Sequence, residues 1–236
     1  MKKIFIYAII LTTIVACNQK KTTKNLELTG NISGLKKGTL YIERIVDTNM
    51  VVIDSIEIDG DSNFKTNISI SSPEMLYINL DRGTTNSVDN NLPFFAEAGK
   101  ININTDLDYF FSNAVITGSK NHDLYENYKT INTRFIDQLL TLTELKFKAM
   151  KAKNVSKIDS IQRKQDQIIK RKYLYAVNFA INNRNFEVSP YIALSEINDV
   201  NLKLMDTIQK SMSPKVAKSL YGKKLIAYYN SRKKME

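Results

Sequence analysis

Val115-Ile116-Thr117-Gly118-Ser119-Lys120-Asn121-His122-Asp123-Leu124 is where the pattern of this chain changes. Before it, apolar residues alternate with polar ones in short runs. After it, they recur every three or four residues over long stretches. Alternation is the period of a strand with one wet face, and the three-to-four step marks one face of a helix. The charge changes sign at the same place. Residues 18–118 carry 9 Lys and Arg against 13 Asp and Glu, whereas residues 119–236 carry 23 against 11. The stretch divides an acidic β part, residues 26–118, from a basic helical arm, residues 119–236.

Working back from it, Leu26, Leu28 and Ile32 alternate before Ser33-Gly34, and Leu40 and Ile42 follow Lys37-Gly38. Val52, Ile53, Ile56 and Ile58 precede Asp59-Gly60-Asp61, which reads as a hairpin turn leading to Phe64, Ile68 and Ile70. Met75-Leu76-Tyr77-Ile78-Asn79-Leu80 is apolar enough to be a strand buried on both faces. A polar loop runs from Asp81 to Asn91, and Phe94-Phe95 and Ile101 to Ile103 flank Ala98-Gly99-Lys100. About eight short strands at this spacing predict an antiparallel β-sandwich or open barrel.

Working forward, Leu124, Tyr128, Ile131, Phe135, Leu139, Leu142, Leu145 and Ala149 lie on one helix face. The break at Lys151-Ala152-Lys153-Asn154 is followed by Ser156-Lys157-Ile158-Asp159, a candidate capping box. Val155, Ile158, Ile161, Gln165, Ile168, Lys172, Ala176 and Phe179 set up a second helix. Two helices of about 28 residues would each reach roughly 40 Å and pair as an antiparallel hairpin. Ser189-Pro190 and Ser213-Pro214 read as N-caps with Pro at N1. Short helices then close the chain, with breaks near 198–201 and at Gly222. The fold class expected is α+β.

The N-terminus carries an address. Lys2 and Lys3 precede an apolar run from Ile4 to Leu11 that continues to Ala16, the charged and apolar regions of an export signal. The run is too short for a spanning helix of roughly 20 apolar residues. It ends in Ile14-Val15-Ala16-Cys17, which resembles the lipobox of bacterial lipoproteins. That resemblance implies a signal at 1–16, cleavage before Cys17, a diacylglycerol on the Cys17 thiol, and a flexible tether at 17–25. By the same resemblance to lipoproteins and their sorting, Asn18 and the lack of acidic residues in the tether imply the periplasmic face of the outer membrane rather than the cell surface.

Cys17 is the only cysteine and His122 the only histidine. A Cys-x-x-Cys redox pair, a cysteine zinc site and a His-pair metal site are therefore excluded, and a histidine-based triad is disfavoured. No cofactor is expected. Asp59-Gly60-Asp61-Ser62-Asn63 opens like a calcium loop, but Phe64 stands where the loop needs Gly and Ser71 where it needs Glu. His122 reads as a solvated or capping residue. Tyr109, Phe94-Phe95 and Phe110-Phe111 read as core, with an apolar groove as the alternative. Lys146, Lys148, Lys151 and Lys153 read either as a solvated face or as a patch for an anionic lipid or acidic protein surface. Nucleic acid is disfavoured by the exported address.

Three phrases carry a family resemblance in the β part. They are Leu28-Thr29-Gly30-Asn31-Ile32-Ser33-Gly34-Leu35, Phe94-Phe95-Ala96-Glu97-Ala98-Gly99-Lys100-Ile101-Asn102-Ile103, and Val115-Ile116-Thr117-Gly118-Ser119. With Ser213-Pro214-Lys215-Val216-Ala217-Lys218-Ser219-Leu220-Tyr221-Gly222, they resemble the domain of unknown function 4369 of Bacteroidetes lipoproteins. In many relatives the helices lead into a thioredoxin-like domain. The resemblance implies that this domain is absent here, the chain stopping at Met235-Glu236 about where it would start. The expected function is a non-enzymatic, lipid-anchored envelope protein that binds or scaffolds a partner. The alternatives are the non-catalytic half of a thiol–disulfide system, beside a separate thioredoxin-like protein, and a shortened oxidoreductase.

Overall fold

The computed structural model describes residues 24–83, 88–197 and 202–235. Residues 1–23, including the signal and Cys17, lie outside the described residues, as do the expected break at 198–201 and part of the Asp81–Asn91 loop. Eight strands come first: β1 Leu26–Ser33, β2 Lys37–Val46, β3 Asn49–Asp59, β4 Asn63–Ile68, β5 Glu74–Asp81, β6 Asn91–Ala96, β7 Gly99–Asp106 and β8 Val115–Thr117. They form two four-stranded sheets, ordered β4-β1-β7-β8 and β3-β2-β5-β6. The α+β class and the two-sheet β part are as the alternation predicts.

The two sheets enclose one core, in which Leu26, Leu28 and Ile101 of the first face Leu40, Leu76, Ile78 and Phe94 of the second. All but one of the strand pairings are antiparallel; β1 and β7 run parallel, with Leu26 opposite Gly99 and Ser33 opposite Asp106. A parallel pair needs a long crossover, and here the whole second sheet supplies it. The turn at Asp59-Gly60-Asp61 is a correction. β3 and β4 belong to different sheets, so it is a corner between layers and not a hairpin. Asp61 is used locally, its Oδ1 accepting from the Asn63 backbone and side-chain amides at 2.9 and 2.8 Å.

Gly118 pivots the chain from strand to helix. Its φ is +96°, and a Cβ there would stand 2.0 Å from the Lys100 carbonyl oxygen, a conformation and an approach open only to glycine. Ser119 then caps α1, Lys120–Lys151, its hydroxyl accepting from the His122 N–H at 3.0 Å. α2, Val155–Asn182, returns antiparallel as the hairpin partner. α3 Val188–Glu196, α4 Leu202–Ser211, α5 Pro214–Ala217 and α6 Leu220–Lys233 fold back around the base of the hairpin.

Several helix ends differ from the expectation. The N-cap of α2 is Asn154, accepting from Lys157 N–H at 3.0 Å, and not Ser156. Asn is as good a cap as Ser, and it comes first in the chain. Ser189 lies inside α3 and donates to the Ala180 carbonyl at 2.7 Å, fastening α3 to the end of α2. Pro190 is tolerated there because first-turn N–H groups have no helical partner. Ser213 does cap α5, with Pro214 at N1. Gly222 is no break: it lies within α6, where a Cβ would meet the Val216 carbonyl oxygen at 2.0 Å.

Candidate functional site

At β5 and β6 the second sheet is covered on both faces. On β5, Leu76, Ile78 and Leu80 enter the sandwich core, while Met75 and Tyr77 meet the helices. Adjacent residues of a strand point to opposite faces, so Phe94 faces the sandwich core and Phe95 the helical cluster. Phe95 meets Tyr191 of α3 and Tyr221 of α6 edge-on, with ring centroids 5.6 and 6.0 Å away. Tyr191 also contacts Tyr221 at 5.0 Å and Tyr125 of α1 at 5.9 Å. Such pairs contribute about 0.5–1.5 kcal/mol each beyond their area. Burial holds the Tyr125 phenol up to about 12, so it stays neutral. The Tyr221 hydroxyl accepts from the Met75 N–H at 2.9 Å.

His122 belongs to this joint. It is 4% exposed, neither solvated nor a cap, and its Nδ1 accepts from the Phe95 N–H at 3.3 Å. β6 is an edge strand whose outward N–H groups have no sheet partner. The first turn of α1 lies along that edge, and the imidazole takes up one of them. Burial pushes the His122 pKa down, while Glu126 pushes it up, Lys129 down and Asp123 up.

Beside the aromatic joint lies a polar cleft of ≈ 400 Å³ between the sandwich and the helices. Glu97, at the β6–β7 turn, accepts from the Lys120 and Asn121 backbone N–H groups at 2.8 and 3.2 Å and from Asn121 Nδ2 at 2.7 Å. A carboxylate there matches the positive end of the helix. Asn121 Nδ2 also donates to Glu187 Oε2 at 3.2 Å, and its Oδ1 accepts from Val188 N–H at 2.9 Å. Glu187 is 2% exposed and pairs with Lys215 at 3.5 Å. The amide of Asn121 thus bridges two carboxylates, and the polar groups fasten the turn, α1 and α3 together. Among the described residues, no group of three His, Cys, Asp or Glu side chains is placed to hold a metal ion.

The lysines expected to share a patch gather at the far end of the hairpin. Lys148, Lys151 and Lys153 are exposed. Lys146 is half-buried and donates to Gln162 of α2. Of the aromatic candidates, Phe94, Phe95 and Phe110 are buried, while Tyr109 and Phe111 are exposed at 63% and 43% and lie outside the core. The residues that build the joint, Tyr125, Tyr191, Tyr221 and Asn121, were not singled out by spacing. The doublet Phe94-Phe95 held the signal: two adjacent aromatics on a strand require an apolar layer on each face.

No helix among the described residues is long and apolar enough to cross a membrane. No curated protein and no solved structure matches the chain. Residues 26–125 match the family model described as a domain of unknown function (DUF4369). The match takes in all eight strands and the first turn of α1, the part that carries the pivot at Gly118 and the edge contact of His122. Through its β-sandwich and the root of its helical arm, residues 26–125 of this chain are similar to the DUF4369 domain.

Proposed function

We propose that the protein is a non-enzymatic, lipid-anchored envelope protein, held through Cys17 on the periplasmic face of the outer membrane, that scaffolds a partner. The observation that carries this reading is the lipobox-like Ile14-Val15-Ala16-Cys17 behind a short apolar signal. A thioether-linked diacylglycerol with a further acyl chain supplies the several chains that stable anchoring requires. The joint supports the scaffolding half of the reading, because it couples the sandwich to the arm through packed rings and shared hydrogen bonds. Fatty-acid labelling in cells tests the anchor. Wild type incorporates label, and Cys17→Ser loses it and leaves the outer-membrane fraction; equal labelling of the variant would discard the reading.

A second reading, the non-catalytic half of a thiol–disulfide system, follows from the resemblance to lipoproteins whose helices lead into a thioredoxin-like domain. It predicts that a chain without Cys17 leaves insulin disulfides intact by itself, yet changes the turnover of a thioredoxin-like protein encoded beside it. An unchanged turnover would remove this alternative.

A further inference from the structure

The far end of the hairpin combines two features that a solvated helix end does not need. Residues 145–158 contain five lysines and no acidic residue. Among them, Phe147, Met150 and Val155 stand 61%, 52% and 67% exposed. Phe147 and Met150 are three apart and share a helix face, and with Thr143, Lys146 and Gln165 they line a cleft of ≈ 360 Å³. Val155 opens α2 just across the turn, where Lys153 takes a φ of 51°. On α1, no residue between Asn132 and Ala149 is buried. On α2 the groove shared with Leu204 of α4 reaches Asp166, so the tip at Val155 stands beyond it by about 17 Å, the rise of eleven helical residues.

We infer that the hairpin tip docks on an anionic lipid bilayer, with Phe147, Met150 and Val155 entering the headgroup boundary and the lysines meeting the phosphates. Apolar side chains ringed by lysine are the chemistry of an interfacial contact, in which the rings and thioether enter and the ammonium groups stay with the headgroups. An acidic protein surface would pair with the lysines but leave the three apolar side chains unexplained. Lys146 is held by Gln162, so the charges that meet the bilayer are Lys148, Lys151, Lys153 and Lys157, all exposed. The contact goes beyond the anchor and does not depend on it.

The chain has no tryptophan, so Phe147→Trp places a single reporter at the tip. Every described element lies between Leu26 and Lys233, so a chain beginning at Asn18 keeps all of them and lacks the lipid. With phosphatidylglycerol vesicles at low salt, the Trp emission shifts to the blue and brominated acyl chains quench it. With phosphatidylcholine alone, or near 1 M salt, where the screening length falls to about 3 Å, it does not. Changing Lys148, Lys151, Lys153 and Lys157 to Gln lowers vesicle affinity by more than ~tenfold, each lysine near an anionic leaflet being worth about fivefold. Helicity by circular dichroism stays the same. Leu174→Trp, exposed on α2 far from the tip, is not quenched. Absent quenching at position 147, equal quenching at 174, equal affinity of the four-Gln variant with unchanged helicity, or retention on polyglutamate without quenching in vesicles would each overturn the inference.

Discussion

His122 shows how one buried side chain ties titration to stability. Burial lowers its pKa below the ordinary 6.5 despite Glu126, whose Oε1 is 3.7 Å from Nε2, and Asp123; Lys129 adds to the lowering. The unfolded chain therefore takes up the proton more readily than the folded one. Stability from the neutral ring is complete above the unfolded value and is lost as pH falls through the folded one. Thermal unfolding of the wild type should move to lower temperature between pH 7 and pH 5. In His122→Asn, whose Oδ1 can replace Nδ1 as acceptor for Phe95 N–H, that movement should shrink. His122→Leu should lose about 1–3 kcal/mol at neutral pH, because it leaves the Phe95 N–H buried and unpaired. Equal pH profiles for wild type and His122→Asn would place the titrating group elsewhere. None of this was legible from the sequence, where a histidine beside an aspartate at a helix start looks solvated. Only the docking of α1 on an open sheet edge buries it.

Elements were more legible than their ends. The apolar faces of α1 and α2 fall mostly on the expected residues, with Tyr128, Ala149, Ile161, Ala176 and Phe179 buried, but Leu145 and Val155, expected on those faces, are exposed near the tip. A second α1 stripe, Ile136, Leu140, Phe147 and Met150, stays exposed and was missed. The stripe facing α2 already accounted for the helix, so the extra apolar positions drew no notice. Caps were read unevenly because several candidate side chains lie close together and packing selects among them: Ser213 was legible, while Asn154 displaced Ser156. The pivot at Gly118 is the element-scale test. Gly118→Ala must carry a side chain at φ +96° and against the Lys100 carbonyl. It should destabilise by about 1–3 kcal/mol or more, the range for a strained backbone position. The urea midpoint measures it, and an unchanged midpoint would show that the β7–β8 edge yields without cost.

At the scale of the molecule, the sequence showed two parts of opposite charge but not how they meet. Alternation identifies strands, whereas sheet membership is set by long-range pairing. The corner at Asp59-Gly60-Asp61 therefore passed for a hairpin, and the parallel β1–β7 pair was not foreseen. The joint of Phe95, Tyr125, Tyr191 and Tyr221, with the Asn121 bridge beside it, makes one body of the two parts. A scaffold needs that rigidity, and it is the central claim. It is tested most directly by the distance between spin labels on Glu57→Cys in β3 and Lys223→Cys in α6, both exposed, in a Cys17-free chain. A single narrow distance distribution is predicted, broadening when Phe95→Ala opens the joint. A broad or two-peaked distribution with Phe95 intact would contradict the account.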